Sequence, residues 1–105
     1  MSKLIHLDDA TFESFVHDSD SVVLVDFSAS WCAPCKQLTP IVEKLAVDLD
    51  GKVKVCKVDI DESPQAATKY GIRSVPTLMV FKGGMKTNTA VGLHSKEKIL
   101  SLLDT

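Results

Sequence analysis

The chain has 105 residues, 45% of them hydrophobic and 25% charged, with a formal net charge of −2. This length implies one domain, residues 1–105, and the balance excludes an intrinsically disordered polymer. The small negative charge offers nothing to a nucleic acid or an anionic membrane. No apolar run approaches the ~20 residues of a membrane span. The start, Met1-Ser2-Lys3-Leu4-Ile5-His6, lacks an apolar signal core and a cleavage site, so a cytoplasmic protein is expected, with a small monomer as the default. Three cysteines are too few and too unevenly placed for a disulfide scaffold.

The first predicted element is a short strand over residues 3–7. Asp8 and Asp9 are good N-cap residues for a following helix, in which Phe12, Phe15 and Val16 fall at helical spacing. His17-Asp18-Ser19-Asp20 closes it in a polar loop. Residues 22–27 form an apolar run of the kind shown by a strand covered on both faces. A long helix then runs from Ala33 to about Asp50, with Leu38, Ile41, Val42, Leu45 and Leu49 as its apolar stripe. Pro34 fits its first turn at little cost, Pro40 inside it predicts a kink, and Gly51 stops it. Residues 52–60 read as a strand through Val53, Val55, Val58 and Ile60. Ser63 and Pro64 begin a short helix over 65–70 that ends at Gly71. A strand over 77–81, a hairpin turn Lys82-Gly83-Gly84-Met85 and an edge strand over 86–91 follow. Ser95 caps a last helix whose Ile99, Leu100, Leu102 and Leu103 face inward. The order is βαβαβαββα. Crossovers in the first half and a hairpin in the second imply an α/β fold, with a mixed sheet of about five strands flanked on both faces by about four helices.

The chemistry gathers where the strand over 22–27 hands over to the long helix. Cys32 and Cys35 stand one turn apart there, on one helix face. The first N–H groups of a helix have no intrahelical partner and carry partial positive charge, which stabilises a thiolate at Cys32. Cys35 can reach Cys32, so the spacing permits a small-loop disulfide that opens and closes. The preceding strand, the helix start, Trp31 and Pro34 favour this redox site over two incidental cysteines on an amphipathic helix. Asp26 lies in the apolar run, where an ionised carboxylate is costly and its pKa should rise. It is read as the group that takes the Cys35 proton; the structural alternative is a strand-end aspartate capping a neighbouring backbone. Cys56 reads as a small buried strand residue rather than a regulatory thiol. No metal site is expected. Asp59, Asp61 and Glu62 lack the glycine and later glutamate of a calcium loop, and His6, His17 and His94 follow no ligand spacing. A single Cys-X-X-Cys without a second pair does not complete a zinc site.

Trp31-Cys32-Ala33-Pro34-Cys35-Lys36 resembles the active-site motif of the thioredoxin family, Trp-Cys-Gly-Pro-Cys-Lys, with alanine at the glycine position. Val22 to Phe27 resembles the family strand with its buried aspartate. Tyr70-Gly71-Ile72-Arg73-Ser74-Val75-Pro76-Thr77-Leu78 resembles the segment around its cis-proline. With Gly84 and Gly92 the likeness covers nearly the whole chain. The resemblance implies a thioredoxin fold and a protein-disulfide oxidoreductase, with Cys32 as nucleophile and Cys35 as resolving thiol. It implies that Lys57, from the next strand, neighbours Asp26 and tunes its charge. It implies a cis bond at Pro76 that turns the Val75 backbone outward, where an extended substrate segment can pair with it. Trp31, Ala33, Pro34, Val75, Pro76, Gly92 and Leu93 would form an apolar rim round Cys32. Ser28, where many members carry an aromatic residue, and Ala33 depart from the pattern beside the active site.

The expected function is general protein-disulfide reduction. The carrier holds no bound cofactor of its own, acts on disulfide-containing proteins, and is recharged by a thioredoxin reductase that draws on NADPH. Two alternatives stay open: a disulfide oxidant or isomerase on the same fold, and a non-redox binding or chaperone-like module whose function would survive loss of both cysteines.

Overall fold

The computed structural model describes residues 3–104; Met1 and Ser2, part of the stretch searched for a signal, and Thr105, the end of the expected domain, lie outside them. The elements run in the order β1 (Ile5–Leu7), α1 (Phe12–Asp18), β2 (Val22–Ser28), α2 (Ala33–Asp48), β3 (Val53–Asp59), α3 (Pro64–Lys69), β4 (Thr77–Lys82), β5 (Met85–Val91) and α4 (Lys96–Leu103). They build one five-stranded sheet of order β1-β3-β2-β4-β5. β1 and β2 pair parallel with β3, whereas β4 pairs antiparallel with β2 and β5 antiparallel with β4. This is the mixed α/β sheet of the thioredoxin fold.

β2 is the central strand and is covered on both sides, which explains its unbroken apolar sequence. Val23, Val25 and Phe27 face a core that includes Phe12 and Val16 of α1 and Ala66 of α3. Leu24 faces the opposite core, with Leu38, Val42 and Leu45 of α2 and Ile99 of α4. The first core is aromatic: the Phe12 and Phe27 rings lie 5.8 Å apart and those of Tyr70 and Phe81 5.4 Å apart. Phe12, Phe27 and Phe81 are fully buried, which contributes about 1.5–3 kcal/mol each, whereas Tyr70 is half-buried. The second core is aliphatic and seats α2 on the sheet. Asp26 lies within that layer, between Leu24 and the strand end.

Several expected caps are corrected. Thr11, not Asp8 or Asp9, is the N-cap of α1. Asp8 instead turns the chain into that helix, with its Oδ1 accepting from Thr11 N at 3.1 Å and its carbonyl from Phe12 N at 2.8 Å. Asp9 caps α3 across the fold: its carboxylate accepts from Gln65 N at 3.1 Å and Ala66 N at 2.9 Å. Ser63 is the N-cap residue of α3 by position, as expected, but its side chain makes no cap bond, and its buried Oγ has no partner among the described residues. A carboxylate that takes two N–H groups at a helix N-terminus outcompetes one hydroxyl. Ser95 does cap α4, accepting from Lys98 N at 3.2 Å. α2 runs unbroken through Pro40 and ends two residues before the expected Asp50, with Leu49 as its C-cap. β1 is shorter than expected, starting at Ile5. Gly83 and Gly84, at φ of 61° and 80°, make the two-residue hairpin turn. In α4 only Ile99 is fully buried; Leu100, Leu102 and Leu103 sit half-buried at the margin.

Candidate active site

The chain leaves β2, makes a short turn in which Cys32 N donates to Ala29 O at 3.2 Å, and enters α2. Cys32 is the helix N-cap, in extended conformation, and its Sγ accepts from Cys35 N at 3.2 Å. A sulfur here occupies the place that a cap oxygen usually takes, facing the free N–H groups of the first turn. Pro34, in that turn, has no N–H to satisfy. Cys32 and Cys35 are joined by a disulfide, with their Cα atoms 5.3 Å apart. They are 5% and 2% exposed, and pack with Ala29, Val75 and Ile60.

The Val75–Pro76 bond is cis, as the resemblance implied. The Val75 carbonyl oxygen lies 3.6 Å from Cys32 Sγ. Pro76 O accepts from Gly92 N at 2.8 Å, which brings the loop after β5 to the same end of the sheet. Cys32, Cys35, Val75, Pro76 and Gly92 are therefore together, with Pro76 itself buried. Ala33, Pro34 and Leu93 are exposed round them, and Trp31 is 67% exposed. The indole is anchored: Trp31 Nε1 donates to Asp61 Oδ2 at 2.8 Å. Asp59 orders that loop, its Oδ1 accepting from Asp61 N at 2.8 Å and Glu62 N at 3.3 Å. The acidic run after β3 thus shapes the rim. Among the described residues, no group of three or more His, Cys, Asp or Glu is placed to share a metal ion.

Asp26 is 0% exposed, in register with Lys57 of β3 and Leu78 of β4. Neither carboxylate oxygen has a hydrogen-bond partner among the described residues, which rules out the backbone-capping alternative. Burial pushes its pKa up from 3.8 to about 7, and the smaller opposing influence is the Lys57 charge. Lys57 does not bond to Asp26. Its Nζ donates to Thr39 Oγ1 at 3.0 Å, and Thr39 Oγ1 donates to Cys35 O at 3.0 Å. A cleft of about 270 Å³ opens beside these groups, lined by Ser28, Cys35, Thr39, Lys57 and Asp59 among others. Sequence reasoning singled out neither Thr39 nor the Asp61 anchor. Thr39 carries one signal, its place one helical turn after Cys35; Asp61 carries none. Cys56 lies in the other core, on the opposite face of the sheet, and burial pushes its thiol up to about 12.

A cysteine pair joined as a disulfide at a helix tip can exchange that bond with another disulfide, and β2, which leads into that helix, carries a buried acid with a pKa raised to about 7. Comparison with known proteins gives the same direction. A family model described as Thioredoxin matches residues 3–105. Thioredoxin of Rickettsia bellii is 52% identical over 96 residues, 91% of each chain. Thioredoxin 1 of Nostoc sp. is 49% identical over 104 residues, 99% of this chain and 97% of its own. Thioredoxin of Pseudomonas aeruginosa is 46% identical over 101 residues, 96% of this chain and 94% of its own. Among the described residues no helix is long and apolar enough to cross a membrane.

Proposed function

The chain belongs to the thioredoxin family and is a general protein-disulfide reductase working by dithiol–disulfide exchange, and from that premise we propose how its residues divide the reaction. The Cys32 thiolate attacks one sulfur of a substrate disulfide, forms a mixed disulfide and expels the other substrate sulfur as a thiolate, which takes a proton. Cys35 then gives up its own proton and attacks Cys32 Sγ. The second substrate sulfur leaves, so the substrate ends as a dithiol and the protein as the Cys32–Cys35 disulfide. Asp26 accepts the Cys35 proton, directly or through water, and Lys57 tunes its readiness to do so. The observation that carries this reading is the disulfide at the tip of α2 with a buried, unpartnered carboxylate on the next layer.

Trp31, Ala33, Pro34, Val75, Pro76, Gly92 and Leu93 receive the substrate. Val75 lies outside the strands, and its N–H and carbonyl can pair with an extended segment laid beside Cys32. Each turnover leaves the pair oxidised, so two electrons must return; a thioredoxin reductase drawing on NADPH supplies them. The carrier needs no cofactor of its own and works as a monomer in the cytoplasm, with residues 1–105 as one domain. The near full-length match to bacterial thioredoxins supports these assignments.

The test is trapping. Cys35→Ser, incubated with a disulfide-bearing protein, accumulates a covalent adduct visible on non-reducing denaturing gels, whereas Cys32→Ser forms none. Equal adduct from both variants, or none from Cys35→Ser, overturns the division of roles.

A further inference from the structure

Lys57 carries the charge that most influences Asp26, yet its ammonium is bonded to a helix. Lys57 Nζ donates to Thr39 Oγ1, and Thr39 Oγ1 donates to the carbonyl of Cys35, each at 3.0 Å. A threonine hydroxyl that bonds back to the carbonyl four residues earlier is ordinary within a helix. The second bond is the informative one. The hydroxyl has a single proton, and once that proton is directed to Cys35 O the oxygen is left purely as an acceptor, turned toward the ammonium. A lysine head on its flexible stem otherwise prefers water. Here the open cleft, with Asp59 on its wall, offers that alternative.

We propose that Thr39 is a positioning residue for disulfide exchange: its hydroxyl holds the Lys57 ammonium between Asp26 on β2 and the Cys35 turn of α2 while the Cys35 proton is moved. The proposal rests on the reading that Asp26 and Lys57 serve that proton transfer. The charged and titratable groups round Lys57 are Asp26 from β2, His6 from β1, which pairs with Lys57 in register on its other side, Asp59 further along its own strand, and Lys36 from α2 on the cleft wall. From β4 and α4 the layer around Asp26 is filled by Leu78, Val80 and Ile99, which are apolar. Among the described residues, Lys57 is thus the cation that the Thr39 hydroxyl holds. Kept in place, it favours the ionised carboxylate, the form able to accept a proton. Released into the cleft, it leaves Asp26 protonated to higher pH.

The experiment reads the protonation midpoint of Asp26 directly, from its carboxyl infrared band, and the pH midpoint of turnover with insulin and dithiothreitol. Thr39→Val keeps the shape and removes the hydroxyl; Thr39→Ser keeps the hydroxyl. Both are made in the native and the Lys57→Met backgrounds, with thermal unfolding as the fold control and Thr39→Ala in reserve should Thr39→Val not fold. The expected result is a rise in both midpoints on the order of half a pH unit in Thr39→Val. Thr39→Ser stays near the native value, and Thr39→Val adds no shift once Lys57 is Met. A shift with Lys57→Met but none with Thr39→Val overturns the role of Thr39 alone. The same Thr39→Val shift in both backgrounds also overturns it, because the hydroxyl then acts by another route. No shift with Lys57→Met overturns the underlying reading of Lys57, and the proposal with it.

Discussion

Replacing Asp26 by asparagine should stabilise the protein in a pH-dependent way, and the size of the effect follows from the burial of the carboxyl. Asp26 is 0% exposed, and its pKa is pushed from 3.8 to about 7. At ~1.36 kcal/mol per pH unit, that displacement is about 4 kcal/mol. The sign is set by which state holds the proton. Below 3.8 the carboxyl is protonated in folded and unfolded chains alike, and it contributes no pH dependence. Between 3.8 and about 7 the unfolded chain has lost the proton and the native chain keeps it, so rising pH favours unfolding. Above about 7 the whole cost is present, because the native chain must then bury an unpartnered charge. Asparagine has nearly the same volume and never ionises. Its amide also lacks partners, but that penalty does not vary with pH and cancels when two pH values are compared. Urea unfolding of both proteins, followed by circular dichroism at roughly pH 3.5 and 8.5, provides the comparison. The stability of Asp26→Asn relative to the native chain should rise by about 4 kcal/mol from the lower to the higher pH. A relative stability that stays within about 1 kcal/mol across that range would refute the argument that burial governs this carboxyl.

Three other perturbations test separate parts of the structure. Asp9→Ala removes the acceptor of two helix N–H groups and should cost about 1–2 kcal/mol in urea unfolding; no loss would mean that Ser63 can take over the cap. Cys56, buried and with its thiol pushed up to about 12, should resist iodoacetamide in a folded Cys32→Ser/Cys35→Ser variant and react once urea is added; rapid labelling of the folded chain would contradict its burial. Asp61→Ala removes the acceptor of the Trp31 indole and should lower the fluorescence anisotropy of that residue, with less than about 1 kcal/mol lost because the bond is exposed; unchanged anisotropy would show that the bond does not hold the ring.

Much of the fold and the heart of the site were legible in the sequence because their signals are local. The apolar run of β2, the stripe of α2 and the Gly83-Gly84 turn each encode an element within a few residues. Cys32 and Cys35 announce themselves because one helical turn separates them and a strand precedes them. The missed features depend on contacts distant in sequence. Asp9 looks like a cap for the helix beside it, yet its carboxylate serves one more than fifty residues away. Ser63 occupies a cap position by pattern but turns its hydroxyl inward. Asp61 reads as a solvated loop acid until the Trp31 indole is seen against it. Thr39 looks like an unremarkable helix residue until Lys57, eighteen residues on, reaches it from β3. Asp26 was legible as an anomaly because a carboxylate in an apolar run needs a reason; that it lacks a hydrogen-bond partner among the described residues came only from the fold.

The central claim, that the Cys32–Cys35 pair works as a disulfide reductant, is tested most directly by its reduction potential. Trp31 adjoins the pair and is the only tryptophan in the chain, so its fluorescence reports the pair in buffers of defined dithiol and disulfide. A reversible two-electron transition at or below about −240 mV, on the reducing side of the glutaredoxins and of protein disulfide isomerase, is the expected result. A transition above about −200 mV would place the chain with isomerases or oxidants, and the absence of any reversible transition would leave a binding module; either would contradict the account.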